Sequence, residues 1–373
     1  MAQYTLYLSI FIVYIHTMSY FDSSKNWIIL LPSGIKHGDF LASELARTLG
    51  VLRAHQDELP EPFPIVDAKT DTGQDDNPLI LLNLGSHPSN DPGFAWRAAD
   101  ERIEIYGDSA QGLIRGMYDF LAALGFTWQK SEKKPDFQAS SLYKLARTKS
   151  HEKGKKDPSE FRRLFLDTQE LTPRGEDWVI LALRNRIDAI VLSEPITPSA
   201  LLQERILHRK ARLIEAAKNF SLSLEDGSCH LSQLLPRRLF WQNKELFRMY
   251  QGRRRPDFNF CATNPETISL LKKQARAYFK ERSWARVFHI WPDEHEGGAW
   301  CSCPSCRAFS PEEQELIAAN TLADALVEIG SNAQISYSMG ENDMLGIKPR
   351  PSLLLISREA WNAQTENHNA HSI

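Results

Sequence analysis

The chain of 373 residues has no excess of charge of either sign, with 44 Lys and Arg set against 47 Asp and Glu for a formal net charge of -3. Without a net field to gather polyanions, nucleic acid is not an expected partner. No apolar run later in the chain exceeds Tyr4–Tyr14 (YTLYLSIFIVY), so no stable membrane span is expected either. That first run has signal-peptide length, yet no Lys or Arg precedes it and no clean small-residue cleavage site follows. Residues 1–17 therefore read as a leader or a disordered extension. Export to a secreted or periplasmic location and a true start at Met18 both stay open. No tandem repeat is visible.

What is present fits a globular enzyme. The length accommodates two domains, one of which could be a barrel. Hydrophobic residues make up 42% and aromatics 10%, and nine tryptophans suit either a filled core or a sugar-stacking cleft.

The run Asn26–Leu31 (NWIILL) predicts a strand, closed by Pro32-Ser33-Gly34, and Asp39–Leu49 carries apolar residues at helical spacing. Leu79–Leu84 (LILLNL) and the alternating Arg102–Tyr106 (RIEIY) predict two more strands. Ser109–Leu124 predicts an amphipathic helix with Leu113, Met117, Phe120, Leu121 and Leu124 on one side, stopped by Gly125. Residues 18–130 thus form a small α/β domain. Residues 131–158, rich in Lys, Ser, Glu and Asp, read as a solvated linker.

From 159 to 373 strand and helix patterns alternate. RRLFLD, IDAIVLSE, FSLSLED, FNFCATN, ARVFHIW, AQISYSM and SLLLIS are the strand candidates; Trp178–Arg184, Leu201–Asn219, Pro265–Glu281 and Pro311–Ile329 are the helices between them. This rhythm predicts a parallel sheet of (β/α) TIM type. Seven strands fall short of eight, and Trp361–Ile373 is polar, so the barrel is expected to be incomplete at its C-terminus.

In such a barrel the chemistry sits where strands end. Asp167, Glu194, Glu225-Asp226 and Asp293-Glu294 all follow apolar runs. Each alone could be an ordinary loop start, since turns begin with acidic residues. Asp293-Glu294 is the sharpest. Adjacent carboxylates in a partly apolar mouth between Trp291 and Trp300 would repel and lose water, giving an acid and a charged partner. Sugar cleavage needs such a pair. An acidic surface loop is the plainer alternative.

The stretch W-C-S-C-P-S-C places Cys301, Cys303 and Cys306 close together, which is a metal-ligand pattern with one position left for Cys261, His295 or water. A structural zinc is the specific expectation. A disulfide in an oxidising compartment competes with it, and no cofactor is required for catalysis. His230 follows the strand FSLSLED and either meets a sugar hydroxyl or caps a turn. A Cys229-His230 nucleophile pair is disfavoured, because neighbours in an extended segment point apart. Arg253-Arg254-Arg255 could meet a uronate carboxylate, with a solvated face as the plainer reading.

Two stretches carry a family resemblance. RIEIYGDSAQGLIRGMYDFLAALGFTW resembles the end of the small domain that precedes the barrel in hexosaminidases of glycoside hydrolase family 20 and in α-glucuronidases. GSCHLSQLLP, CATNPE and an aspartate followed by W-C-x-C-P-x-C resemble the domain of unknown function 4838 family. Together these cover most of Trp27 to about Ser357. FHIWPDEHEGGAW is also similar to the hexosaminidase motif in which a histidine-containing strand leads to an Asp-Glu pair, with Trp291 and Pro292 where that family has glycines.

The resemblance implies a glycoside hydrolase acting on O-glycosidic bonds of an amino-sugar or uronic-acid glycan. It makes Glu294 the general acid and Asp293 the group that orients the substrate's acetamido. Glu194, Glu225, His230, Trp291 and Trp300 are then the expected substrate contacts. The alternative is a non-catalytic carbohydrate-binding or structural protein with a cysteine-cluster metal site.

Overall fold

The computed structural model describes residues 19–21, 25–51, 62–67, 77–85, 93–99, 101–128, 136–137, 143–145, 161–171, 174–194, 200–340, 345–359 and 361. The leader expected over 1–17, the greater part of the linker expected over 131–158, and the final polar stretch apart from Trp361 lie outside the described residues. The chain divides into two compact units. One is Met1–Lys156 with Ile180–Arg186, the other Asp157–Val179 with Ile187–Ile373. Among the described residues no helix is long and apolar enough to cross a membrane.

The first unit is built on β1 (Ile28–Leu31), α1 (Gly38–Gly50), β2 (Ile65–Asp67), β3 (Leu79–Leu84), β4 (Phe94–Ala99), β5 (Arg102–Gly107) and α2 (Ala110–Ala123). These five strands form one sheet in the order β2-β1-β3-β5-β4. All pair in parallel except β4, which returns antiparallel to β5. Leu113, Met117, Phe120 and Leu121 of α2 are buried, as their helical spacing requires. Ser109 caps the helix by accepting a hydrogen bond from Gly112 N–H, and Gly125 (φ 99°) leaves the helix in the left-handed region. The β4 strand, not anticipated from sequence, buries Trp96 against the helix: its indole N–H donates to Asp119 at 2.9 Å and its ring meets Phe120 edge-on at 5.7 Å.

The second unit contains β6 (Arg163–Asp167), the start of α3 (Gly175–Arg184), which passes to the first unit from Ile180 on, β7 (Ala189–Ser193), α4 (Ala200–Asn219), β8 (Ser223–His230), α5 (Pro265–Glu281), β9 (Val287–Trp291), α6 (Pro311–Glu328), β10 (Gln334–Met339) and β11 (Leu353–Ser357). Six strands stand in sequential order, each parallel to the next. The expected FNFCATN strand is absent. Phe258 adopts φ 51°, which breaks the extended backbone, and only a single bridge joins Phe260 to Phe247. The architecture is mixed α/β with parallel sheets, and β6 and β11 form the edges of this one, so its topology is not that of a closed eight-stranded barrel.

Helices α5 and α6 cover one face of this sheet. Leu271, Phe279, Leu322 and Leu326 pack there against Phe288 and Ile335. Strand alternation turns His289 and Ser336 to the opposite face. There His289 Nδ1 lies 2.9 Å from Ser336 Oγ while its Nε2 lies 2.8 Å from Glu225. Arg163 completes the chain by donating to Glu225 at 2.6 Å.

Candidate active site

Strand β9 ends at Trp291, and Pro292-Asp293 continues from it, so Asp293 leaves the carboxyl end of a central strand. Its backbone is fixed by a fully buried Asn259. The Asp293 N–H donates to Asn259 Oδ1 at 3.0 Å, and Asn259 Nδ2 donates to the Asp293 carbonyl at 2.9 Å. The carboxylate is a quarter exposed and lies 3.8 Å from His230 Nδ1 and 3.9 Å from Arg237 Nη2. His230 ends β8, the strand beside β9, which explains their meeting. Arg237 follows in LLPRRLFW. Its Nη2 donates to the Phe258 carbonyl, its Nη1 is buried without a hydrogen-bond partner among the described residues, and burial lowers its pKa.

Asp293, Glu294 and Trp300 line a cavity of about 1100 Å³, together with Tyr250, Phe258 and Arg358. The loop behind it is tied down by the buried Arg248, which donates to the Gly298 carbonyl at 2.9 Å and to Asp257 at 2.7 Å. Trp300 packs edge-on to Phe260 at 6.0 Å. The burial expected of the acidic pair is not found: Asp293 is a quarter exposed, and Glu294 is exposed just before the turn at Glu296-Gly297.

Other expected site residues are elsewhere. Trp291 does not line the cavity. Its ring packs at 5.0 Å from Trp361, which also lies tilted against His289 at 4.5 Å. Glu225 and Asp226 are not at a strand end: β8 runs on to His230, with an irregularity between Asp226 and Cys229. The pair looked like a loop start because Gly227 follows it. Both side chains are buried with partners supplied by distant segments. Burial acts to raise the Glu225 pKa, but the hydrogen bond from His289 and the charge and hydrogen bond of Arg163 outweigh it and hold the carboxyl below the usual range. His289 itself is driven down by burial. A neutral imidazole then donates from Nε2 to the carboxylate and accepts at Nδ1 from Ser336. Asp226 points to the helix side, where Tyr278 and Ser228 donate to it, and burial raises its pKa.

Glu194 does follow β7, but its carboxylate is held by Lys210 of α4 and, at 3.1 Å, by Arg282. Burial acts to raise its pKa, and these two cations reverse that and lower it. Asp167 accepts from Gln169 N–H at 2.7 Å and caps a short turn. Cys229 is buried, and burial pushes its thiol up to about 12, which removes it as a nucleophile. Arg254 is taken up by the Phe247 carbonyl and Glu245.

The cysteines converge. Cys301, Cys303 and Cys306 meet Cys261, all four buried, with their sulfurs within 4.8 Å of one another. Sequence reasoning missed Asn259 and Arg237. The signal for Asn259 was a polar residue between two phenylalanines in FNF, a position where burial obliges a hydrogen-bond partner.

No family model matches the chain, the resemblance read from CATNPE and W-C-S-C-P-S-C included, and no curated protein matches it. Among solved structures the chain is similar to the Flavobacterium johnsoniae chitobiase of glycoside hydrolase family 20, at 13% identity over 91% of this chain and 52% of that one, with a TM-score of 0.49. It is similar to the family 20 exo-β-N-acetylglucosaminidase of Vibrio harveyi at 14% identity, over 94% of this chain and 57% of that one, with a TM-score of 0.47. The family 20 β-N-acetylhexosaminidase of Streptomyces coelicolor matches at 13% identity over 95% and 70%, with a TM-score of 0.45. The chain spans little more than half the length of the first two.

Proposed function

We propose that this chain is a glycoside hydrolase, built on an incomplete (β/α) barrel, that cleaves O-glycosidic bonds of an amino-sugar or uronic-acid glycan in the cavity around Asp293. The observation that carries the reading is the placement of Asp293: at the carboxyl end of a central parallel strand, clamped through its main chain by Asn259, on the wall of a cavity of about 1100 Å³ that also holds Glu294 and Trp300. Trp300 and Tyr250 offer aromatic faces to the apolar face of a sugar ring. Glu294 gives the proton to the leaving oxygen. Asp293 orients and stabilises the group that bears positive charge on the ring, and in an amino-sugar substrate the acetamido group acts as the nucleophile.

A panel of aryl glycosides of amino sugars and uronic acids, assayed with the wild type, Asp293→Asn and Glu294→Gln, tests this. The acid's loss should lower kcat by roughly 10²–10⁴-fold. Intact substrates throughout would remove the hydrolase reading. A second reading, a glycan-binding protein without turnover, is favoured by the exposure of Glu294, which lacks the burial a general acid draws on. It predicts unchanged glycan binding in Glu294→Gln and no hydrolysis by any form.

A further inference from the structure

Cys261 reaches the other three cysteines from far along the chain. Its sulfur lies 3.7 Å from Cys303 Sγ and 3.6 Å from Cys306 Sγ, and no pair among Cys261, Cys301, Cys303 and Cys306 exceeds 4.8 Å. A disulfide would bring two sulfurs to about 2.05 Å, whereas a tetrahedral zinc with Zn–S bonds of about 2.3 Å sets its ligand sulfurs about 3.8 Å apart. The two spacings from Cys261 match a tetrahedron's edges, and the remaining pairs are close enough to draw in around one ion. All four side chains are buried, so the cluster is closed to solvent.

The surroundings are built to support thiolates. The Met249 backbone N–H donates to Cys301 Sγ at 3.2 Å, the Arg254 guanidinium reaches the same sulfur at 3.6 Å, and Thr263 Oγ1 lies 3.2 Å from Cys306 Sγ. Hydrogen bonds of this kind orient and tune metal-bound sulfur. Gln314 of α6 then fixes the main chain around the ligands, accepting from Cys301 N–H and donating to the Cys301 carbonyl, both at 3.2 Å. His295 is not a ligand. Its ring packs on Phe258 at 4.7 Å and its Nδ1 accepts from Gly297 N–H.

We infer that Cys261, Cys301, Cys303 and Cys306 bind one zinc ion in a closed four-thiolate site that fastens the Asp293 cavity wall to the segment bearing Asn259. Four protein ligands leave no open position for water or substrate, so the ion holds structure and takes no part in bond cleavage. The two ends of the loop that carries Asp293 and Glu294 are thereby fixed, one by β9 and the other by Cys301. The assignment stands whether or not the cavity hydrolyses sugars.

The test is metal analysis of the full chain purified under reducing conditions without added chelator. About one zinc per chain is expected, falling at least tenfold in Cys261→Ser and unchanged in His295→Ala. Because a cysteine variant that misfolds would also lose metal, the wild type reconstituted with Co²⁺ supplies a second readout: intense thiolate-to-metal charge transfer and the absorption of a tetrahedral four-sulfur centre. A metal content near zero with four titratable thiols, a disulfide within the set, stoichiometric iron, or an octahedral cobalt spectrum would each overturn the inference. Neither readout involves glycosidase activity, so a failed sugar assay and a failed metal assay are separate results.

Discussion

Asn259 grips the main chain of Asp293 from both sides, accepting from its N–H at 3.0 Å and donating to its carbonyl at 2.9 Å, while itself fully buried. A side-chain amide used this way replaces the ladder partners that the backbone loses when β9 ends. It fixes the direction in which the carboxylate leaves the strand. Asn259→Ala would strand two backbone groups out of water, at roughly 1–3 kcal/mol each. Urea unfolding should show a loss of roughly 2–6 kcal/mol, and glycan turnover or binding should fall with it. Wild-type stability in that variant would mean the amide is not the clamp.

The polar chain Arg163, Glu225, His289 and Ser336 makes the second unit sensitive to acid. Glu225 has a folded pKa below its unfolded value of about 4.3, so its contribution is present above that value and disappears as pH falls through the folded pKa. Buried His289 is also lowered. Below about pH 6.5 the unfolded chain takes up a proton that the folded one refuses, and stability declines from there downward. The urea midpoint should therefore drop between pH 7 and pH 5 in the wild type and drop less in His289→Gln. Parallel profiles for the two would refute the assignment. Removing the cation alone, in Arg163→Met, leaves a buried carboxylate unpaired and should cost about 3–5 kcal/mol at neutral pH.

How much of this was legible in the sequence follows from the range of the interactions. Leu79–Leu84 and Pro265–Glu281 form the elements their local patterns predict, the helix because Asn264 caps it and Pro265 starts it. Asp293 stands just past the end of a strand, as the apolar run before it predicts. Glu225 and Asp226 were misplaced because an acidic pair before Gly227 reads locally as a turn, whereas Arg163, His289, Tyr278 and Arg282, which make their burial tolerable, come from distant segments. The three clustered cysteines announced themselves, yet the choice of Cys261 over His295 depends on where the FNFC segment folds back. Phe258 in the left-handed region and the loss of that strand were invisible to a pattern of alternating apolar residues.

Gly112 sits where α2 meets the turn before β4. A Cβ there would fall 2.3 Å from the Gly93 carbonyl oxygen, a main-chain atom that cannot swing aside. Alanine in a helix gains up to about 1 kcal/mol over glycine by propensity. Overpacking against backbone costs roughly 1–3 kcal/mol and wins. Gly112→Ala should lower the melting temperature of the first unit, and a rise instead would show that the turn at Gly93 yields freely.

Arg237 offers the site a cation whose Nη1 is buried with no hydrogen-bond partner among the described residues, 3.9 Å by its other nitrogen from Asp293. The rest of the side chain is about a third exposed beside Asp293, so the guanidinium can meet an oxygen of a glycan bound there. A hydrogen bond from a charged group is worth roughly 1.5–3 kcal/mol, which is about 10- to 150-fold in affinity. Arg237→Met keeps much of the stem's packing and should weaken glycan binding by that factor in calorimetry. The loss should be larger for a uronate than for a neutral amino sugar, because guanidinium meets a carboxylate with two parallel donors. Equal affinity of the two proteins for both sugars would place the bound glycan away from Arg237 and leave the guanidinium as a neighbour of Asp293 that holds the loop and no ligand.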